Sequence, residues 1–335
     1  MAYRGPVATP SADKKRRAAV VYNPIKVDVS RLKDAVHAAT KAAGWAPTVW
    51  FETSEEDAGQ GVTASAIRRG AEVVIAAGGD GTVRAVAEAL RGSGVSLALL
   101  PSGTGNLLAR NLELPLTNLE QSIDAAFHGD DRKVDVGMVD IVRADGESEQ
   151  HAFLVMAGLG LDAKMIKNTN TTLKKAVGWL AYIDGITRSL PELKPVRIRY
   201  RLGGAAEKSM SVHTIIVGNC GMLPGGLLLM PEAKPDDGIL DIAALRPRGP
   251  FGWAKVWRKV AWENGVLRKS AIGRKIIDLS ADVRDVTYLT GTDLRMIVEG
   301  KPEEFQLDGD EFGEARSVHA WVEPGALTVK MPAAL

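Results

Sequence analysis

Short, continuous apolar runs alternate with amphipathic stretches through the first third of the chain. Ala18-Ala19-Val20-Val21-Tyr22 is one such run, stopped by the turn pair Asn23-Pro24. Ser30 then reads as the cap of a helix carrying Leu32, Ala35, Val36, Ala39 and Ala43 on one side, with Gly44 as its stop. Residues 48–51 are strand-like and 62–69 helix-like. The same alternation continues with strand 73–77, helix 83–90, strand 95–100 and helix 107–111. Strands that are apolar throughout, separated by helices, predict a doubly wound parallel sheet covered on both faces. After residue 131 the texture changes. Segments 134–142, 151–156, 196–200, 214–217 and 239–245 read as strands, with one helix near 173–189, predicting a second, mainly antiparallel β domain.

Composition narrows the class. The chain has 335 residues, room for two ordinary domains, and its 45% hydrophobic and 25% charged content excludes general disorder. One cysteine, Cys220, excludes a disulfide framework and a four-cysteine zinc site, and fits a reducing compartment. Lys and Arg total 42 against 41 Asp and Glu, so the whole chain has no nucleic-acid footprint. Locally the balance breaks. Residues 246–275 carry nine Lys/Arg against one Glu, and residues 299–314 carry seven Asp/Glu against one Lys. The first suits an anionic surface and the second a metal or acid–base site, although solvated faces have the same look. Residues 1–17 form a polar, basic tail without a signal-peptide core and read as disordered. The longest uncharged stretch, 209–231, holds His213, Asn219, Pro224 and four glycines, a poor spanning helix. A cytoplasmic protein is expected, one that attaches to a membrane at most peripherally.

Three motifs carry candidate chemistry. Gly78-Gly79-Asp80-Gly81-Thr82 lies between a buried strand and a helix, where free N–H groups and the helix N-terminus favour an anion. A carboxylate there would repel phosphate, but Asp80 can organise magnesium or water around nucleotide phosphates. Pro101-Ser102-Gly103-Thr104-Gly105-Asn106 has the same placement after the next strand, with Thr104 and Asn106 as uncharged donors. Both loops then lie at the carboxyl edge of a parallel sheet, where α/β proteins bind ligands. Leu307-Asp308-Gly309-Asp310-Glu311 presents Asp308 and Asp310 from one tight turn, a pair able to accept an alcohol proton or hold a metal. A plain hairpin with solvated acids has the same sequence signature.

Together these motifs resemble the diacylglycerol kinase catalytic family, in particular soluble bacterial lipid kinases, over nearly all of the chain from Ala18 to Pro332. Asn23-Pro24, Thr53, Val217-Gly218-Asn219 and the stretch from Pro231 through Lys234, Asp237 and Ile239 to Asp241 belong to the resemblance. It implies an ATP- and Mg2+-dependent kinase acting on a lipid hydroxyl, with a nucleotide-binding domain at 18–131 and a β-sandwich at 132–335 whose last residues can return to the first domain. The implied ATP contacts are Asn23, Thr53, Gly78, Gly79, Asp80, Gly81, Thr82, Thr104 and Asn106. Asp308 or Asp310 would be the base, and Lys234, Asp237 and Ile239 would lie beside a structural magnesium, the Lys and Ile through carbonyls alone. Two departures stand out. Arg84-Ala85 occupy places where the family often has Asn-Glu, and Asp310 stands for the usual Glu. A non-catalytic lipid-binding protein and an NAD-kinase-like enzyme are the alternatives. The chain contains no Asn-Glu pair of the kind NAD kinases use for the ribose.

Around residue 253 the apolar positions Trp253, Val256, Trp257, Val260 and Ala261 fall on one helical stripe, with Lys255, Arg258 and Lys259 opposite and Trp262 among them. That pattern suits the headgroup region of an anionic membrane, and equally a helix packed into the β domain. The sequence leaves a homodimer open.

Overall fold

The computed structural model describes residues 15–160, 195–223, 227–247 and 286–333. The helices expected at 173–189 and around Trp253, and most of the N-terminal tail, lie outside these residues.

Strands β1 (Arg17–Tyr22), β2 (Ala46–Glu52), β3 (Val73–Gly78) and β4 (Ser96–Pro101) pair in parallel in the order β2-β1-β3-β4. Ala18, Val20 and Tyr22 of β1 share a core with residues of α1 (Val29–Ala42) and α5 (Leu119–His128). Ala19 and Val21 pack instead with α2 (Gln60–Arg68), α3 (Asp80–Leu90) and α4 (Leu107–Asn111). Covering both faces requires an apolar side chain at every position, and all of β3 is buried. α1 is capped by Asp28 rather than Ser30: the Asp28 Oδ1 accepts the Arg31 N–H at 3.1 Å, one residue before the helix begins. α5 escaped the reading of the sequence. Asn118 caps it, and Ile123, Ala126 and Phe127 form its core stripe.

β5 (Asp130–Val142), β6 (Ser148–Phe153), β7 (Met156–Leu159), β8 (Val196–Leu202), β9 (Lys208–Val212), β10 (Thr214–Gly218), β11 (Met222–Leu223), β12 (Leu227–Leu228), β13 (Leu240–Leu245) and β14 (Val286–Gly291) follow. The chain then forms β15 (Asp293–Glu299), β16 (Glu303–Leu307), β17 (Asp310–Ala315) and β18 (Ser317–Met331). Six of them make an antiparallel sheet in the order β14-β13-β10-β7-β16-β17. Its inner face, with Leu159, Ile215, Ile242 and Phe305, packs on Ile141, Phe153, Ile198 and Met296 of the other sheet, giving a β-sandwich. β18 joins the two halves. It runs antiparallel to β5 along most of its length and parallel to β4 at Thr328 and Val329, so one ten-stranded sheet passes through both. Leu229 and Met230 are buried in the core beside Ile216 and Ala243.

Candidate active site

All four parallel strands deliver a polar or glycine-rich loop to the same edge. Asn23 follows β1, its N–H bonded to Ala77 O and its Oδ1 accepting the Ile25 N–H at 3.0 Å, an Asx turn. Thr53 follows β2 and is buried, its N–H on Tyr22 O. Gly79 precedes α3, and the first bond within that helix runs from the Val83 N–H to Gly79 O. The amides of Asp80, Gly81 and Thr82 therefore have no partner inside the helix and face the edge. The two glycine loops touch: a Cβ on Gly103 would lie 2.9 Å from the Gly79 Cα, so backbone meets backbone there.

Asp80 locks this contact. Its Oδ2 accepts the Asn106 N–H at 2.9 Å and its Oδ1 accepts the Leu107 N–H, capping α4 from the neighbouring loop. Burial pushes its carboxyl above the ordinary value against the pull of those two amides, and the charge of Asp310 adds to the rise. Asn106 is equally committed. Its side chain accepts the Gly103 N–H and donates to Gly103 O, with its own backbone left-handed at φ 48°. Both side chains, expected from sequence to face magnesium or phosphate, spend hydrogen bonds on the loops themselves. Thr104 is exposed. On the opposite face of the edge a cavity of about 250 Å³ opens between α1 and α5, lined by Lys26, Arg31, Ser102 and Thr117.

The acidic turn comes from the other half of the molecule and separates its two carboxylates. Asp308 is 5% exposed and points inward. Its Oδ1 accepts the Val155 and Met156 N–H groups and its Oδ2 the Leu154 N–H, all at 2.8–2.9 Å. Burial pushes its carboxyl up to about 6, against the three amides and the positive charge of Arg84. Asp310 points the other way, its side chain 47% exposed. It lies against α3, where a Cβ on Gly81 would come within 2.7 Å of its Oδ2. Sheet domain and phosphate-type loop thus meet at Asp310 and Gly81.

Arg84, on the next turn of α3, is the residue whose place in the site sequence reasoning left unassigned. It is 7% exposed, its guanidinium stacks on Phe312 at 4.6 Å, and its Nη2 lies 3.6 Å from Asp310 Oδ2. Its Nε and Nη1 are buried without a hydrogen-bond partner among the described residues. A buried donor without an acceptor costs about 1–3 kcal/mol, more when charged. The signal was present in sequence: a lone Arg in the apolar stretch Val83-Arg84-Ala85-Val86-Ala87, directly after a glycine loop.

The stretch 231–241 is tied to the interdomain strand by Asp135, whose carboxylate accepts the Gly238 and Gly325 N–H groups at 2.7 Å each. Asp237 accepts the Ile239 N–H. Buried Asp241 is pushed up to about 6, first by burial and then by the charges of Asp237 and Glu232. Among the described residues no group of three or more His, Cys, Asp or Glu has a metal-holding arrangement, and no helix is long and apolar enough to cross a membrane.

Known proteins resemble the chain in sequence and in fold. Residues 17–139 match the diacylglycerol kinase catalytic domain, and residues 154–262 match the YegS C-terminal NAD kinase beta sandwich-like domain. A lipid kinase YegS-like protein of Pseudomonas aeruginosa is 32% identical over 305 residues, covering 89% of both chains. A diacylglycerol kinase of Mycobacterium tuberculosis is 30% identical over 179 residues, 53% of this chain and 56% of that one. A crystal structure described as a diacylglycerol kinase from Bacillus anthracis shares the fold with a TM-score of 0.71 at 20% identity, covering 97% of this chain and all of that one. Yeast NADH kinase, with a TM-score of 0.53 at 8% identity, shares the fold over 96% of this chain and 84% of its own. With its two glycine loops facing an acidic turn across the domain junction, this chain belongs to the diacylglycerol kinase-like family of lipid kinases and is a kinase.

Proposed function

We propose that the protein transfers the γ-phosphoryl group of MgATP to a hydroxyl of a membrane lipid, diacylglycerol or a relative of it. The observation that carries this reading is Asp310: a half-exposed carboxylate, from a different domain, set against Gly81 at the N-terminus of α3. Amides of the first glycine loop bind the phosphates, with Asn23, Thr53 and Thr104 around them. The hydroxyl oxygen bonds to the γ-phosphorus as the bond to the β–γ bridging oxygen breaks. ADP leaves with that electron pair, and the hydroxyl proton passes to Asp310. An ordinary carboxylate is a weak base toward an alcohol, so its main work is orienting the hydroxyl and taking the proton late. Asp308, spent on three amides, holds the turn.

The family also implies magnesium, which accompanies ATP and neutralises phosphate charge. The stretch 231–241 fits a second, structural ion: Asp237 would supply a carboxylate, Lys234 and Ile239 main-chain carbonyls, and the crowded charges of Glu232, Asp237 and Asp241 would be relieved. Reversible attachment to an anionic bilayer through the Trp253–Trp262 region belongs to the same reading and rests on the sequence pattern alone. The test is incubation with radiolabelled ATP and a total lipid extract, the labelled product identified by mass spectrometry, with NAD as a parallel acceptor. Label in a lipid supports the reading. Label in NAD alone, or in nothing, rejects it.

A further inference from the structure

Arg84 is a charged side chain in a buried setting, 7% exposed. Its neighbours on α3 from Thr82 to Ala87 are buried, an environment that excludes charge unless the charge has work to do. Among the described residues two of its buried N–H-bearing nitrogens have no acceptor, and its one anionic neighbour at 4 Å or less, Asp310, stands beyond hydrogen-bond length. A helical side chain lies over the turn N-terminal to its own Cα, which for Arg84 is the turn of Asp80 and Gly81. The guanidinium lies beside the Asp310 carboxylate, which itself touches Gly81 of the glycine loop. An anion with several oxygens that takes the place of the Asp310 carboxylate against Gly81 would satisfy it.

We propose that Arg84 is a catalytic residue that donates hydrogen bonds to the non-bridging oxygens of the phosphoryl group in transit. This rests on the kinase reading above and deepens it. No covalent change occurs at Arg84; it matches charge that spreads over the three oxygens during transfer, the service a guanidinium gives best. In the resting site its Nη2 pairs with the Asp310 carboxylate at 3.6 Å. As Asp310 turns to the lipid hydroxyl and takes its proton, the pair dissolves and the guanidinium passes to the phosphoryl oxygens. Phe312 and Asp310, which lie against it, both belong to β17, which among the described residues is an edge strand paired with β16 alone, so uncovering the guanidinium disturbs no central ladder.

The experiment compares the full chain with Arg84→Met and Arg84→Lys. Affinities for MgADP and for a non-hydrolysable ATP analogue are read by calorimetry, stability by thermal melting, and turnover on lipid vesicles. The wild type should prefer the ATP analogue, and Arg84→Met should lose that preference while binding MgADP unchanged. Its turnover should fall about 10²- to 10³-fold while unfolding stays cooperative, with a lower melting temperature because Asp308 and Asp310 lose a facing positive charge. Arg84→Lys should keep the fold and recover little turnover, because a point charge does not reproduce the planar fork. An undiminished analogue preference in Arg84→Met, or near-normal turnover in Arg84→Lys, overturns the proposal while leaving the kinase reading intact. A wild type that binds neither nucleotide overturns both.

Discussion

Replacing Asp308 separates its two possible roles, because the structure sets the cost of losing it as a scaffold. In Asp308→Ala three buried amides, those of Leu154, Val155 and Met156, lose their acceptor. At about 1–3 kcal/mol each that is a large loss. Part of it is offset, because an ionised carboxylate that the fold pushes up to about 6 from 3.8 costs about 3 kcal/mol at pH 7. The net expectation is a loss of roughly 3 kcal/mol. Asp308→Asn keeps one oxygen for two amides, strands the Leu154 N–H and removes the charge, so it should stay within about 1 kcal/mol of wild type at pH 7. The pH dependence supplies the sign. The folded state holds the Asp308 proton more tightly, so the contribution is fully present below 3.8 and is lost as pH rises through about 6. Urea unfolding between pH 4 and 7.5 should show this fall in wild type and a shallower one, reduced by about 2.4 kcal/mol, in Asp308→Asn. Equal slopes in the two proteins, or an Asp308→Ala cost below about 1 kcal/mol, would refute the reasoning. A stable Asp308→Asn protein with turnover down 100-fold would move the base to Asp308.

Asp310→Asn should lower kcat by about 10²-fold or more with nucleotide affinity and unfolding free energy nearly unchanged; full turnover would reject the assignment. Asp80→Ala should cost about 1–2 kcal/mol by uncapping α4, seen as faster amide exchange at Asn106 and Leu107, and an unchanged exchange pattern would leave the loop contact without a role. Magnesium should raise the melting temperature of wild type and much less that of Asp237→Asn, and equal responses would place the ion elsewhere. Anionic vesicles should retain the protein at low salt, with each Lys or Arg removed at 255, 258 and 259 costing about 1 kcal/mol and Trp262→Ala weakening binding further; co-sedimentation indifferent to these changes would make the stripe core packing.

The parallel strands were legible because burial on both faces demands uninterrupted apolar runs, as in Val73-Val74-Ile75-Ala76-Ala77, and the glycine loops because they punctuate those runs. The start of α1 was misread by two residues: Asp28 and Ser30 are both competent caps, and the choice depends on where the chain leaves the sheet. α5 was hidden by its length and by the polar residues Glu120, Gln121 and Asp124 on its outer side.

What the residues determined by themselves were the alternation of elements, the two glycine loops at one sheet edge and the pair of acids in one turn, all set by local periodicity and turn chemistry. Tertiary structure alone decided what those groups face. It turned Asp80 into a cap for the neighbouring loop, buried Asp308 on three amides and left Asp310 to meet Gly81 across the domain junction. It also enclosed Arg84 between Phe312 and Asp310. Those are contacts between residues more than twenty positions apart. Which of two chemically equal carboxylates stays exposed depends on the pairing of β16 with β7, which sets Asp308 on the amides of residues 154–156, a long-range packing outcome to which no local pattern is sensitive.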